Sequence, residues 1–381
     1  MKTTDLRGAT RLAIEAAAGL TDLVEAMHER IARVPGLGVP DGRTTGITGL
    51  VYKTVRGVTR LVGGSVDALL GVLTTSITQS SASAEREAVV AALNGVLGDH
   101  LAATGNPLSI TMSLRHVGRV VVLERAALQL RFPAAGPTLV VALHGLCMND
   151  LQWRREGQDQ AAALAQAMGG TAIYLHYNTG LPVADNGHRF AVLMATLLRE
   201  WPARPARVLL LAHSMGGLVA RSALHQAAGQ AWTQQVSDLV CLGTPHLGAP
   251  LERAGHGLEM LLDAVPYAAP LARLGRVRSA GIADLRHGHC GVGDDPVPLP
   301  ARTRCWAVAA VLDGQAKGRL LGDGLVPRDS ALGRHRNPAR RLAFRQDRQC
   351  VSVGLNHLQL LSSRAVQTQL REWLISTPAL S

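Results

Sequence analysis

The chain has 381 residues, of which 47% are hydrophobic and 18% are charged. This composition supports a sizeable globular core and excludes intrinsically disordered, collagen-like and low-complexity classes. The net charge of +11 suggests nucleic acid, but aromatic residues make up only 3% of the chain. They do not alternate with basic residues as a base-stacking platform requires, so we expect no nucleic-acid partner. The length predicts two domains, or one large domain with an appendage.

Targeting and metal signals are weak. The most apolar stretch, residues 61–78, contains Asp67 and three glycines, so we expect no membrane span. The first twenty residues lack a compact apolar segment followed by a cleavage site, so no signal peptide is predicted. Five cysteines without CxxC spacing disfavour a disulfide framework and a zinc site. We therefore expect reduced thiols, no metal or other cofactor, and a cytoplasmic location; a secreted enzyme is the alternative.

The first 105 residues differ from the rest. Apolar residues recur at helical spacing over 6–31, 50–73 and 84–103. One interpretation is a helical layer packed on the main domain or in an oligomer. The other is that the second helix, with Lys53, Arg56 and Arg60 on one side, lies on a lipid or polymer surface. We predict a helical N-terminal region, 1–105, of unknown role, followed by a catalytic domain, 106–381.

From about residue 108, β-rich runs alternate with helical stretches, which predicts an α/β domain. Continuous apolar runs such as 208–212 are typical of parallel strands covered by helices on both faces. The predicted strands are 109–114, 118–124, 138–143, 172–177, 208–212, 239–242 and 304–311, and the predicted helices include 150–168, 187–201, 216–227 and a closing helix, 359–374.

The strongest chemical signal is the segment Ala212-His-Ser-Met-Gly-Gly217, between a predicted strand and a predicted helix. A sharp strand-to-helix turn holds its middle residue in a strained conformation with an exposed hydroxyl. Small residues at 212 and 216 let strand and helix approach, and alanine at 212 replaces the commoner glycine. Ser214 is therefore the candidate nucleophile, with a helix N-terminus that favours developing negative charge.

A serine needs a base and a carboxylate to orient that base, in the chain order Ser, Asp or Glu, His. Asp323, in a glycine-flanked loop, and His357, just before the closing helix, fit this order. Rival candidates are the histidines His213, His246 and His335 and the aspartates Asp313, Asp329 and Asp347, of which Asp313 is the main rival acid.

Acyl transfer also needs donors for the oxyanion. The backbone N–H of Met215, directly after the nucleophile, is one candidate. The other follows strand 138–143 in the dipeptide His144-Gly145, where the glycine allows a turn that aims the Leu146 N–H inward.

Together, these motifs resemble the α/β-hydrolase superfamily, and are similar to bacterial triacylglycerol lipases and GPI inositol-deacylase-like proteins. The resemblance covers about residues 137–375 and also includes Gly243-Thr-Pro-His-Leu-Gly248. It implies an α/β-hydrolase fold, a mostly parallel sheet covered by helices, with Ser214 as nucleophile, His357 as base and acid, Asp323 as orienting carboxylate, and Leu146 and Met215 as oxyanion donors. It also implies a lid or cap at about 249–300.

The leading hypothesis is a serine hydrolase, a lipase or esterase, that cleaves esters of apolar acyl chains through an acyl-enzyme. Alternatives are an acyltransferase or thioesterase with the same triad, or a non-catalytic lipid-binding or scaffold protein. We expect an apolar ester or lipid substrate. Six arginines between Arg334 and Arg348 predict contact with an anionic lipid surface. The oligomeric state is left open.

Overall fold

The fold is that of a computed structural model in which residues 82–249, 279–293, 296–312 and 322–375 are described. Several predictions lie outside these residues: the helices at 6–31 and 50–73, the rival acid Asp313, and most of the expected cap, 250–278. The third N-terminal helix, the strands and the candidate triad all lie inside them.

One sheet of eight strands organises the described chain, in the spatial order β2-β1-β4-β3-β5-β6-β7-β8. β1 pairs antiparallel with β2 and β4, and the pairs from β4 to β8 are parallel. The strands are β1 Ser113–His116, β2 Arg119–Val120, β3 Thr138–Leu143, β4 Thr171–His176, β5 Arg207–His213, β6 Val236–Leu242, β7 Arg304–Val311 and β8 Gln349–Val353.

Helices cover both faces of this sheet. They are α1 Ala82–Ala103, α2 Arg125–Arg131, α3 Gln160–Ala167, α4 Val183–Glu200, α5 Met215–Gln226, α6 Ala280–His287, α7 Arg328–Ala331 and α8 Arg364–Ile375. Alternate residues of the central strands enter two apolar clusters. α1, α4 and α5 pack in one cluster, and α3 and α8 pack in the other. Every residue of β3 and β5 is buried, because both faces of a doubly covered parallel sheet are interior.

The sequence predictions hold best in the middle of the sheet. β3 and β7 occupy the predicted ranges, and β4, β5 and β6 differ by one to three residues at their ends. The first two strands are shorter and shifted, since the chain turns between them at Val117 and Gly118, both with positive φ. The predicted helix 150–168 is two pieces, a 3-10 turn at Asp150–Trp153 and α3, because Glu156 and Gly157 also adopt positive φ.

The C-terminal part departs further from the prediction. β8 has no counterpart among the predicted strands, and the closing helix is a 3-10 turn at Gln359–Leu361 followed by α8. The arginine-rich loop, 334–348, is mostly exposed and lies against β8, where Arg334 donates to Gln349 at 2.7 Å. Its contact with anionic lipid stays a prediction.

Helix α1 is built into the main core. Val89, Leu93, Val96 and Leu101 are buried in the same cluster as the sheet residues. α6, which follows residues 250–278, lies against α1: Ala280 N donates to Asp99 at 2.9 Å.

All five cysteines are free thiols. Within the described part of the chain, no helix combines the length and the apolar character needed to cross a bilayer.

Candidate active site

Ser214 occupies the turn between β5 and α5, where φ is 54° and ψ is −126°. A non-glycine residue at positive φ costs on the order of 1–3 kcal/mol and persists only where its surroundings enforce it. Here the Ser214 N–H donates to the carbonyl of Leu242, at the end of β6, at 2.9 Å. The predicted strained turn is therefore present at the carboxyl edge of the sheet.

Close backbone approaches explain the glycines around this turn. A Cβ on Gly216 would meet the carbonyl oxygen of Leu143, the last residue of β3. A Cβ on Gly145 would lie 2.9 Å from Ser214 Cβ and 3.4 Å from its Oγ. The loop after β3 consequently lies directly on the Ser214 hydroxyl.

The structure brings Asp323 and His357 together. Asp323 Oδ2 lies 2.7 Å from His357 Nδ1, and each side chain is 1% exposed. The other carboxylate oxygen accepts from the N–H groups of Leu325, at 3.0 Å, and Val326, at 2.7 Å. Because a carboxylate only accepts, Nδ1 carries the proton and Nε2 is left as the basic nitrogen.

The imidazole lies beside the serine turn. A Cβ on Gly243 would be 3.1 Å from both Nδ1 and Cε1 of His357, and Gly243 follows Leu242, whose carbonyl binds the Ser214 N–H. His357 Nε2 is buried and has no hydrogen-bond partner among the described residues. A buried nitrogen without a partner calls for an explanation; Ser214 Oγ is not hydrogen-bonded to it in this structure.

Two rival histidines have other contacts. His213 Nε2 donates to the carbonyl of His357 at 3.1 Å, and their ring centroids are 4.7 Å apart. Burial, then the neighbouring His357, lowers the His213 pKa well below its ordinary value. His246 Nδ1 lies 3.2 Å from Arg221 Nη1, and burial followed by the Arg221 charge lowers its pKa likewise. Both imidazoles are therefore neutral and poorly basic.

Of the remaining rivals, Asp313 lies outside the described residues and the other three lie on the surface. Asp329 and Asp347 pair with neighbouring arginines, and His335 contacts its own loop. The support that His213 gives to the His357 backbone has no signal in the sequence, because the two residues lie far apart along the chain.

The orientation of the Gly145–Leu146 peptide is set by its carbonyl. The Gly145 oxygen accepts from His144 Nδ1 at 2.9 Å and from the Met148 N–H at 3.3 Å. In a trans peptide the N–H points opposite to the C=O, so the Leu146 N–H points away from both donors. No hydrogen-bond partner of that N–H is found among the described residues. Met215, the first residue of α5, likewise has an N–H without an intrahelical acceptor.

His144 is locked in place as a neutral ring. It stacks on Tyr177 with centroids 4.4 Å apart, and the Tyr177 hydroxyl donates to the His144 carbonyl at 2.8 Å. Burial lowers the pKa of His144 to about 3. Its donor to Gly145 is thus present at all ordinary pH values. The sequence offers one signal for Tyr177: it directly follows β4, at the carboxyl edge of a parallel sheet, where functional residues gather.

No group of three or more metal-ligating side chains is found in the described ranges. The described site is made of a hydroxyl, an imidazole, a carboxylate and backbone N–H groups, a set of groups that can support acyl transfer.

Comparisons with known proteins bear on the family. Residues 187–286, which include Ser214, match the model of the PGAP1-like alpha/beta domain. The search of curated proteins found no match.

Solved structures similar to the chain include lipase BlEst2 from Bacillus licheniformis in its mature form. The match has 20% sequence identity and a TM-score of 0.43, and it covers 64% of this chain and 93% of the lipase chain. Lipase 1 from Pelosinus fermentans is 12% identical, with a TM-score of 0.42, and the match covers 64% of this chain and 100% of the lipase chain. The Pyrococcus furiosus esterase PF2001 has 14% identity, 63% and 82% coverage and a TM-score of 0.40. The sheet order and the serine turn have the arrangement expected of an α/β-hydrolase fold, and residues 187–286 are similar to the PGAP1-like alpha/beta domain.

Proposed function

We propose that the chain is a serine hydrolase that cleaves carboxylic esters of apolar acyl chains. The observation that carries the proposal is the buried Asp323–His357 pair, with a free Nε2, beside a serine in a strained strand-to-helix turn. An alcohol becomes a nucleophile at neutral pH when a positioned imidazole takes its proton.

The proposed reaction runs in two halves. Ser214 Oγ bonds to the ester carbonyl carbon while its proton passes to His357 Nε2. Asp323 holds the imidazole in the required tautomer and stabilises the imidazolium. The oxyanion lies at the N–H groups of Leu146 and Met215. Collapse breaks the carbon–oxygen bond to the alcohol, which leaves with the imidazolium proton. Water then adds to the acyl-enzyme by the same steps and releases the acid.

The preference for apolar acyl chains rests on the residues near the site and in the expected cap. Leu146 and Met215 are fully buried and Met148 nearly so, and the sequence of residues 258–262 is Leu-Glu-Met-Leu-Leu. An apolar chain gains roughly 0.8 kcal/mol for each buried CH₂, so longer acyl groups are expected to bind more tightly.

The test is hydrolysis of p-nitrophenyl esters from acetate to palmitate, together with fluorophosphonate labelling located by mass spectrometry. We expect turnover and a single label on Ser214, and a loss of about 10⁴-fold or more in kcat for Ser214→Ala. Folded wild-type protein that neither labels nor turns over would overturn the proposal and favour a lipid-binding or scaffold role.

A further inference from the structure

A largely buried cluster of polar and charged side chains lies behind the oxyanion loop, residues 144–149. Arg115 Nη1 lies 2.9 Å from Glu87 Oε2 and 3.1 Å from Asp150 Oδ1. His176 Nδ1 lies 3.2 Å from the same Asp150 oxygen. The four side chains are between 2% and 22% exposed. We call these four residues the Arg115 cluster.

The cluster joins three elements to the far end of the oxyanion loop. Glu87 lies on α1, Arg115 on β1, and His176 ends β4. Asp150 begins the 3-10 turn directly after the loop, and Asn149 and Gln152 form a capping box on that turn. The loop therefore has two fixed ends, β3 at Leu143 and the Asp150 carboxylate.

The charges in the cluster favour an ionised Asp150. Burial would raise the pKa of this carboxyl, but the polar contact with His176 and the charge of Arg115 outweigh it and hold the pKa below its usual value. Replacing a buried ion pair by apolar residues is often neutral or stabilising. Stability therefore gives little reason for four polar side chains at this place, whereas a requirement for one loop geometry does.

Helix α1 contacts the same loop directly. A Cβ on Gly95 would run into the Cys147 side chain, and Cys147 has a φ of 60° with its N–H donating to Thr179 Oγ1 at 3.1 Å. The loop is thus held by α1 at its centre and, through Glu87 and Arg115, at its end.

We propose that the Arg115 cluster is a positioning device for the oxyanion loop, which makes α1 a part of the active site. The inference rests on the proposed function. Arg115 acts through Asp150 and touches no substrate, so it is a positioning residue. Its loss frees the distal end of the loop and displaces the Leu146 N–H from the place where the oxyanion forms.

The test compares two largely buried arginines at different places in the sheet. Arg207, the first residue of β5, donates from Nε to Asp238 Oδ2 at 2.9 Å, and this pair is also largely buried. Arg115→Met and Arg207→Met each break a buried ion pair, but only the first lies behind the oxyanion loop. For both variants and for the wild type, kcat, KM, the melting temperature and the affinity for an aryl boronic acid, which forms a tetrahedral adduct on serine, are measured.

We expect Arg115→Met to lower kcat and boronic acid affinity by about 100-fold, the effect typical of an ångström-scale misplacement, with KM changed by roughly threefold or less. Arg207→Met is expected to lower the melting temperature while kcat, measured well below it, stays near the wild-type value. Unchanged kcat in a folded Arg115→Met, or an equal loss in Arg207→Met, overturns the inference.

Shape-conserving variants cover the case in which Arg115→Met does not fold. Asp150→Asn and Glu87→Gln keep the side-chain outline and remove one charge each, and unchanged kcat in both would also overturn the inference. Absence of turnover and labelling in the wild type refutes the proposed function and this inference with it. Wild-type turnover with a fully active Arg115→Met refutes the inference alone.

Discussion

Replacing His144 by phenylalanine is expected to separate activity from stability. The ring of His144 stacks on Tyr177, and phenylalanine preserves that stack. The substitution removes the Nδ1 donor to the Gly145 carbonyl and leaves only the Met148 N–H, at 3.3 Å, to hold the Gly145–Leu146 peptide. It also removes His144 Nε2, which is buried and has no partner among the described residues.

The two losses have opposite effects on stability. An unpaired buried polar atom costs about 1–3 kcal/mol, whereas an ordinary hydrogen bond contributes about 0.5–1.5 kcal/mol. His144→Phe should therefore be at least as stable as the wild type. Activity should fall, because loss of one oxyanion donor costs about 10²–10³-fold in kcat. With the peptide only partly released, we expect a decrease of roughly 10- to 100-fold in kcat and little change in KM.

His144→Asn is the matched variant. An asparagine amide nitrogen can take the place of Nδ1, but it leaves a cavity against Tyr177. We expect this variant to be less stable than His144→Phe and yet more active. Urea unfolding and p-nitrophenyl butyrate kinetics at pH 8 measure the two properties. Wild-type kcat in His144→Phe, or a fall in kcat that follows stability across both variants, would refute the role assigned to the His144 donor.

Three further outcomes are expected. Asp323→Asn keeps an oxygen that accepts the hydrogen bonds from the Leu325 and Val326 N–H groups, so it should stay folded while kcat drops about 10⁴-fold. A comparable loss of kcat in Asp313→Asn instead would show that the acid is misassigned. Three buried histidines, His144, His213 and His246, stay neutral in the folded protein but gain protons in the unfolded chain below about pH 6.5. The free energy of unfolding should therefore be greatest above that pH and should decrease at lower pH, by about 2 kcal/mol for each histidine at pH 5. A urea midpoint that does not change between pH 8 and pH 5 would contradict this. Removal of residues 1–105 deletes α1, whose buried apolar side chains each contribute about 1.5–3 kcal/mol to stability. Thermal scans of this variant should therefore lose their cooperative unfolding transition. A chain that begins at residue 81 keeps α1 and is expected to retain the transition.

Much of the sheet could be predicted because its central strands are buried on both faces. A doubly buried strand is largely apolar, so β3 and β7 stand out as apolar runs in which only the first residue, Thr138 or Arg304, is polar, and both have the predicted ends. β8 lies at the edge and alternates between half-buried and exposed residues, which leaves no such run.

In the candidate site, too, some features could be predicted from the sequence and others depend on the order of the strands. Ser214, Asp323 and His357 lie in local patterns, a strand-to-helix turn and two loops at the sheet edge, whose residue types alone point to their chemistry. Local conformation depends on neighbours in sequence, so such patterns can be recognised in the amino-acid sequence alone. That the Asp323 and His357 side chains approach to 2.7 Å follows from the parallel order of β6, β7 and β8.

The contacts around the oxyanion loop have no local pattern. Glu87, Arg115, Asp150 and His176 belong to four segments that meet through the packing of α1 and the pairing of β1 with β4. Considered in its own segment, each residue looks like an ordinary polar residue of the surface. Only the packing of the whole chain removes these side chains from water and brings them together beside the candidate catalytic loop.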